Sequence, residues 1–143
     1  MSQNFDSIGW SVAEGKTDLY KFQVRYRRFE KAFPRTNYPN RLNIFWNVSS
    51  PDQEGLATKE ELEKLHSFEN RLVAAVELDE SAILTAVLTG RKEREFVFFA
   101  KDPNDFVHRL TEMPQEKDRY PIQIRLNQDP SWSYFDEIIP IEK

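Results

Sequence analysis

Basic side chains are concentrated in one short stretch of this 143-residue chain. Residues 20–41 hold a single acid, Glu30, and seven bases: Lys21, Arg25, Arg27, Arg28, Lys31, Arg35 and Arg41. The stretch therefore carries a net charge of +6, and the remainder carries −10, since the whole chain carries −4. Because a guanidinium group binds carboxylates and phosphates through paired N–H donors, the stretch predicts local binding of an anionic partner.

Two interpretations of these arginines stay open. Basic side chains on the exposed face of an outer strand also discourage edge-to-edge aggregation, which needs no ligand. Alternatively, Arg25, Arg27 and Arg28 form a docking surface for an acidic partner together with the 28–40 loop. The candidate binding residues are Arg25, Arg27, Arg28, Arg91, Arg94, Phe45, Trp132 and Tyr134.

Histidine and carboxylate groups supply no recognisable catalytic or metal-binding pattern. His66 and His108 lie far apart in the sequence, and the chain has no cysteine, so the usual metal-ligand spacings are missing. Glu69 and Glu95 are the carboxylates expected near the core, with Glu69 in an ion pair with Arg94 or Arg71. No glycine-rich phosphate loop or G-x-S-x-G elbow is present. We therefore predict no cofactor, no metal and no catalytic residue, and retain a histidine–carboxylate hydrolase as a third hypothesis.

The order of secondary-structure signals places these side chains on a mixed scaffold. From residue 41 onward the patterns read strand, helix, strand, strand, helix, strand, which is the ferredoxin-like βαββαβ series. The predicted segments are strand 42–48, helix 58–78, strands 81–89 and 94–100, a helix from Asp102-Pro103 to Pro114, and strand 120–127. We predict an α+β fold with an antiparallel sheet and two helices on one face.

The flanking segments extend this unit within one domain, residues 1–143. Residues 8–26 predict an N-terminal hairpin, 41–128 the ferredoxin-like unit, and 129–143 a C-terminal extension with a short strand at 133–139 and a partly exposed Trp132. Residues 28–40 predict a loop, and Thr58 with Glu61 forms a capping box. The predicted core comprises Phe22, Val24, Leu42, Ile44, Trp46, Leu65, Leu72, Val76, Val87, Phe96, Phe98, Leu110, Ile122 and Ile124.

Several short motifs together resemble one family. Glu69-Asn70-Arg71-Leu72 is similar to its E-x-x-L helix pattern, Thr89-Gly90 with Arg94–Phe99 to its T-x-x-G-x-R-E-F-x-F-Y hairpin, and Asp129–Trp132 to its D-P-x-W segment. Trp10, Tyr38-Pro39 and Gly55-Leu56 follow in the same order, although Ala57 and Phe99 stand where the patterns have Pro and Tyr. The chain thus resembles the domain of unknown function 695. By fold alone it also resembles the regulator of ribonuclease E activity B.

These observations favour a binding or regulatory module that acts through protein–protein contact. RNA or anionic-ligand binding through 20–41 and Arg91–Arg94 is the alternative, although Glu93 and Arg94 depart from the RNA-recognition signature over Lys92–Phe99. We expect another protein as the partner, rank nucleic acid below it, and expect no membrane partner because no apolar run is long enough. The N-terminus lacks signal-peptide features, so we expect a cytoplasmic location. The oligomeric state stays open.

Overall fold

The computed structural model describes residues 5–16, 21–48, 57–90, 92–113 and 120–139, apart from the side chains at positions 6, 16 and 21. Within these ranges the chain forms six strands and three α-helices: β1 (Trp10–Lys16), β2 (Lys21–Arg27), β3 (Asn40–Asn47), α1 (Lys59–Glu77), β4 (Ala82–Gly90), β5 (Glu93–Ala100), α2 (Pro103–Glu112), β6 (Ile122–Gln128) and α3 (Ser133–Ile138). The sequence also predicts a loop at residues 49–57, which lies almost wholly outside the described residues. No helix in the described ranges combines the length and the apolar character needed to cross a bilayer.

The six strands form one antiparallel sheet in the order β1-β2-β4-β5-β3-β6. The unit from β3 to β6 therefore has its two internal strands, β5 and β3, between β4 and β6, which is the ferredoxin-like arrangement. The hairpin of β1 and β2 extends the sheet beyond β4. The predicted α+β fold is confirmed. The sequence interpretation placed the basic side chains of β2 on an outer strand, and this is wrong. Strand β2 is an internal strand, because β1 pairs with its far edge.

Helix α1 begins where the sequence predicts and seals one face of the sheet. The hydroxyl of Thr58 accepts a hydrogen bond from the amide of Glu61 at 3.4 Å. The Glu61 carboxylate is directed into the core, where its Oε2 accepts from Trp46 Nε1 at 2.9 Å. The stripe facing the sheet is fully buried: Leu65, Phe68, Leu72 and Val76. This stripe and the buried residues of α2 form the core on the helix-covered face.

The opposite face of the sheet is also covered over much of its area. Phe29 and Phe33, from the segment between β2 and β3, pack with α3 over Val97 and Phe99. Trp132 was expected to be partly exposed, but it is fully buried and stacks on Phe99 with ring centroids 4.4 Å apart. The predicted strand at 133–139 is wrong: this segment is α3, because Asp129 accepts hydrogen bonds from the amides of its first turn.

A buried ion pair attaches the hairpin to the ferredoxin-like unit. Arg27 of β2 and Glu77 at the end of α1 meet at 3.0 Å, with side chains 5% and 7% exposed. Arg27 also donates to the Leu84 carbonyl, and Glu77 accepts from the Leu84 amide. These contacts lie where the β4–β5 register shifts between Leu84 and Ala86. Arg27, which the sequence places on a polar, exposed face, is therefore a core residue. Its side chain binds the backbone of β4 beyond the last residue pair between β2 and β4.

Most of the predicted core is buried, and the exceptions lie at the sides of the sheet. Phe22 is 36% exposed and its ring lies against Gly15 on the neighbouring strand. Ile122 is half-buried and Ile124 is 38% exposed, because both belong to β6 at the margin of the helix layer. Alternation along a strand identifies one face of a sheet, but it does not say how far a covering helix reaches.

Candidate functional site

A polar pocket lies between α1 and strands β2, β4 and β5. Strand pairing places Gln23 beside Thr89 and Thr89 beside Arg94. Arg25 lies beside Val87, two residues further along β2. The cavity measures about 190 Å³ and its floor includes Val87. Its polar lining consists of Gln23, Arg25, His66, Glu69, Thr89 and Arg94. We call this cavity the α1–sheet pocket.

The two arginines of the pocket differ in their partners. Arg25 forms a close ion pair with Glu69, and its guanidinium also lies 4.7 Å from the ring centroid of Trp10. The sequence predicted that Glu69 would pair with Arg94 or Arg71, and this prediction is wrong. Arg71 donates to the hydroxyl of Tyr120 at 2.8 Å. Register explains the outcome, because β2 brings Arg25 under α1 although 44 residues separate it from Glu69.

Arg94 has a single hydrogen bond within the described part of the chain, from its Nε to Thr89 Oγ1 at 3.2 Å. Its two terminal nitrogens meet no acceptor there. The side chain is partly buried, and burial lowers the pKa of the guanidinium, an effect that Glu69 opposes and Arg25 increases. Arg94 therefore presents two N–H-bearing nitrogens to the pocket without a carboxylate of its own.

A second polar cluster occupies the opposite face of the sheet, beneath α3. Glu95 Oε2 accepts from Asn43 at 2.7 Å and from the Tyr134 hydroxyl at 2.5 Å. Arg41 connects this cluster to Asp129 through bonds of 2.9 Å to Asn43 Oδ1 and to Asp129 Oδ2. Burial, followed by the hydrogen bond to Glu95, raises the pKa of Tyr134 well above its usual range. The candidate Tyr134 is thus held in a network that joins α3 to the sheet.

Strand β6 presents an uncovered outer edge. It pairs with β3 on one side, and no other described strand lies on its far side. Residues Gln123–Gln128 are all exposed. Ile124 and Leu126, 38% and 50% exposed, lie beside the buried Ile44 and Leu42 of β3. On the other face, the Arg125 guanidinium lies 5.4 Å from the ring centroid of Phe45.

The remaining candidates are dispersed. Arg28 is exposed beside Gly9, at a shallow groove of about 490 Å³ that includes Ser7, Phe29 and Phe33. Arg91 lies outside the described residues. His66 lines the α1–sheet pocket and His108 is exposed on α2. Within the described ranges, histidine and acidic side chains form no cluster of three or more that could hold a metal ion.

The aromatic residues of β5 are packed on both faces of the sheet. Phe96 and Phe98 are fully buried beneath the helices, and Phe99 is fully buried beneath Trp132. The prediction that these side chains fill a core is confirmed. Their rings are not accessible to a base as the aromatics of an RNA-recognition sheet are.

Sequence reasoning missed that Gln23 and Thr89 line a pocket with Arg94, and it missed the exposure of β6. The polar alternation of Gln23 and Arg25 was visible, but placing Thr89 beside Arg94 required the hairpin register. The alternating Ile122, Ile124 and Leu126 read as a buried strand, and Arg125 between them carried no signal of its own. By contrast, Trp10, Glu69, Thr89 and Arg94, which carry part of the family resemblance, converge on or beside the α1–sheet pocket.

The fold and these sites define an α+β, ferredoxin-like protein with an added hairpin, a small cationic pocket and an exposed edge strand, β6. The model of a family of unknown function, DUF695, matches residues 10–139, and the chain belongs to this family. No curated protein and no solved structure matches the chain. The fold-level likeness to the regulator of ribonuclease E activity B therefore stays a prediction.

Proposed function

We propose that this protein is a non-enzymatic binding module that captures an extended segment of another protein at the outer edge of β6. The exposed pair Ile124 and Leu126 beside a free strand edge is the observation that carries the proposal. An incoming strand would form main-chain hydrogen bonds with β6 and would cover these side chains, which is the mode of recognition called β-augmentation.

The residues of β6 provide little of the usual protection of an edge strand, since Arg125 is the one charged side chain among them. Natural sheets protect their edges with charged side chains, above all lysine, and with proline, bulges or inward charges. Strand β6 has the sequence IQIRLNQ and pairs regularly with β3 from Ile122 to Gln128. The opposite edge, β1, contains Glu14, Gly15 and Lys16. This contrast supports β6 as the edge that accepts a partner strand.

The side chains of β6 also indicate the chemistry of the partner. Ile124 and Leu126 lie on the helix-covered face of β6, so apolar residues at alternate positions of the incoming strand would pack against them. On the other face Arg125 is exposed and stacks on Phe45, and no described carboxylate pairs with it. An acidic residue opposite Arg125 would complement its charge. We therefore expect a segment that alternates apolar and acidic residues.

The engagement of the buried carboxylates supports binding over catalysis. Glu69 is paired with Arg25, Glu95 accepts from Asn43 and Tyr134, and Asp129 caps α3. A carboxylate or histidine acts as a general base only when it lies within hydrogen-bond reach of a substrate proton. His66 shares the pocket with Glu69, but that carboxylate is already engaged by a guanidinium. The absence of cysteine fits a reducing compartment, and a cytoplasmic location is part of the proposal.

The test compares two changes at opposite edges of the sheet. A displayed library of ten-residue peptides is selected on the wild-type protein, on the double variant I124K/L126K, and on V12K. Val12 is 58% exposed on β1, so V12K adds a lysine to an apolar edge position without touching β6. We expect wild type and V12K to enrich alternating apolar–acidic peptides, and I124K/L126K to lose them by at least about tenfold in affinity.

Hydrogen exchange then locates the bound peptide. We expect added protection at the amides of β6 and none at β1. Equal binding to I124K/L126K, protection confined to another surface, or the failure of any peptide to enrich would overturn the proposal. Dimerisation that I124K/L126K abolishes would also overturn it, because the occupant of the edge would then be a second copy of the chain.

A further inference from the structure

We infer that the α1–sheet pocket binds a small anion, a carboxylate or phosphate group, on the guanidinium of Arg94. This inference is independent of the role proposed for β6, because the pocket lies at the other side of the helix-covered face, between α1 and the strands β2, β4 and β5.

The charges around the pocket leave one cation uncompensated. Two arginines and one glutamate line it, and the glutamate is bound to Arg25. Arg94 is partly buried and has only its Nε–Thr89 bond among the described residues. The two terminal nitrogens have no acceptor among the described residues, so an anion that accepts from both would form paired, charge-assisted hydrogen bonds.

Neighbouring polar groups provide further donors for the same ligand. Thr89 Oγ1 accepts from Arg94, so its hydroxyl hydrogen is available to a ligand oxygen. Gln23 contributes an amide and His66 an imidazole to the lining. These donors surround the guanidinium of Arg94, whose paired N–H groups match two oxygens of a carboxylate or of a phosphate.

The size of the pocket limits what it holds. A volume of about 190 Å³ is below the ~300–1,000 Å³ of sites that enclose drug-sized ligands. The pocket therefore fits a free inorganic ion, a small organic acid or the anionic end of a larger molecule, and does not enclose a whole nucleotide.

The experiment uses inorganic phosphate and acetate as separate probes, in chloride buffer at constant ionic strength. Nuclear magnetic resonance follows the Arg94 Nε–H signal and the Thr89 amide, and thermal unfolding gives the melting temperature. We expect saturable shifts of both signals with at least one probe, and the probe that binds more tightly identifies the group preferred. The melting temperature of wild type rises with that probe, since only the folded state binds it.

Three variants separate a specific site from general charge screening. R94Q should weaken binding by about tenfold or more, because it removes charge-assisted hydrogen bonds. R125Q makes the same charge change on β6 and should stay within about twofold of wild type. E69Q should tighten binding by roughly threefold or more, because the nearest negative charge is removed. A purely structural role for Glu69 predicts the reverse, since Arg25 would lose its anchor.

The result does not depend on a variant that fails to fold. Without the probe, R94Q should melt within about 5 °C of wild type, because the one side-chain hydrogen bond that Arg94 makes among the described residues is the bond from its Nε to Thr89 Oγ1. Absence of a saturable shift at Arg94, unchanged affinity in R94Q, or equal losses in R94Q and R125Q would each overturn the inference. Selection of peptides at β6 should be unaffected by R94Q, so failure of one proposal is distinguishable from failure of the other.

Discussion

Asp129 shows how one side chain can organise an entire segment. Its Oδ1 accepts from the amide and the hydroxyl of Ser133, at 3.0 and 2.8 Å, and its Oδ2 accepts from the amide of Tyr134 and from Arg41. Burial raises the pKa of Asp129, but the hydrogen bonds from Tyr134, Ser133 and Arg41 outweigh burial and hold the pKa below its usual range. The ionised carboxylate is therefore the form that stabilises α3.

We predict that D129N lowers the free energy of unfolding by about 2–4 kcal/mol at pH 7, because an amide cannot accept every bond that the carboxylate accepts. The pKa is lowered on folding, so the stabilisation is complete above the unfolded-state pKa of about 4 and is lost as pH falls further. Urea unfolding at pH 7 and pH 3 should thus give a smaller difference between D129N and wild type at pH 3.

The matched control is D136N, which changes a carboxylate that is 54% exposed on the same helix. Its effect should stay below about 1 kcal/mol, as for other exposed ion pairs. A difference between D129N and wild type that is equal at both pH values would contradict the role assigned to the charge of Asp129.

At the scale of elements, α3 is a six-residue helix whose position depends on one aromatic side chain. Trp132 precedes it with a φ of 59°, a left-handed conformation that is uncommon for a bulky residue. Its ring is fully buried between Phe99 and Phe29, and its Nε1 donates to the Tyr38 carbonyl at 2.9 Å. Packing therefore outweighs the unfavourable backbone conformation.

We predict that W132A destabilises the protein by about 3–5 kcal/mol, the range for removing a buried aromatic ring. W132F keeps most of the ring contacts but loses the bond to Tyr38, and should cost about 1–2 kcal/mol. Urea unfolding measures both effects, and hydrogen exchange of the α3 amides should be faster in W132A. L126A, at an exposed position on β6, serves as the control and should change stability little.

Local patterns predicted most of these elements, and the errors have physical causes. The caps at Thr58 and Asp102 and the alternation in β3 depend on neighbouring residues, so the sequence was sufficient to place α1, α2 and β3. The segment 133–139 was misread as a strand because its aromatic and β-branched residues suit either state. The helix is decided by Asp129 and by packing of Trp132 and Phe135 against aromatic residues that are distant in the sequence.

At the scale of the whole molecule, the Arg27–Glu77 pair links the hairpin, α1 and β4. The pair completes the hydrogen bonding of Leu84, whose amide and carbonyl lie beyond the end of β2. The sequence predicted the hairpin and the ferredoxin-like unit but not this junction, since the two side chains are separated by 50 residues. The same limitation applied to the α1–sheet pocket, which is assembled from three strands and a helix.

We predict that E77Q lowers the free energy of unfolding by about 3–5 kcal/mol, because the nearly buried Arg27 loses its counter-ion. Each single variant, R27M or E77M, leaves a buried charge without its counter-ion, whereas R27M/E77M leaves none. The loss of unfolding free energy in the double variant should therefore be less than the sum of the losses in the two single variants. The double variant should nevertheless remain about 2 kcal/mol or more below wild type, since the amide and the carbonyl of Leu84 each lose a side-chain partner. Urea unfolding of the four proteins measures this cycle, and a double variant as stable as wild type would contradict it.

The three tryptophans lie in different parts of the protein, so their fluorescence can report the unfolding of each part. Trp10 lies between the guanidinium groups of Arg25 and Arg27 on the hairpin, Trp46 is in the helix-side core, and Trp132 is in the opposite layer. Variants that each retain a single tryptophan would emit from one layer at a time. Coincident fluorescence transitions would then mean that both layers and the hairpin unfold as one cooperative unit, while an earlier transition at Trp10 would identify the hairpin as the first part to separate.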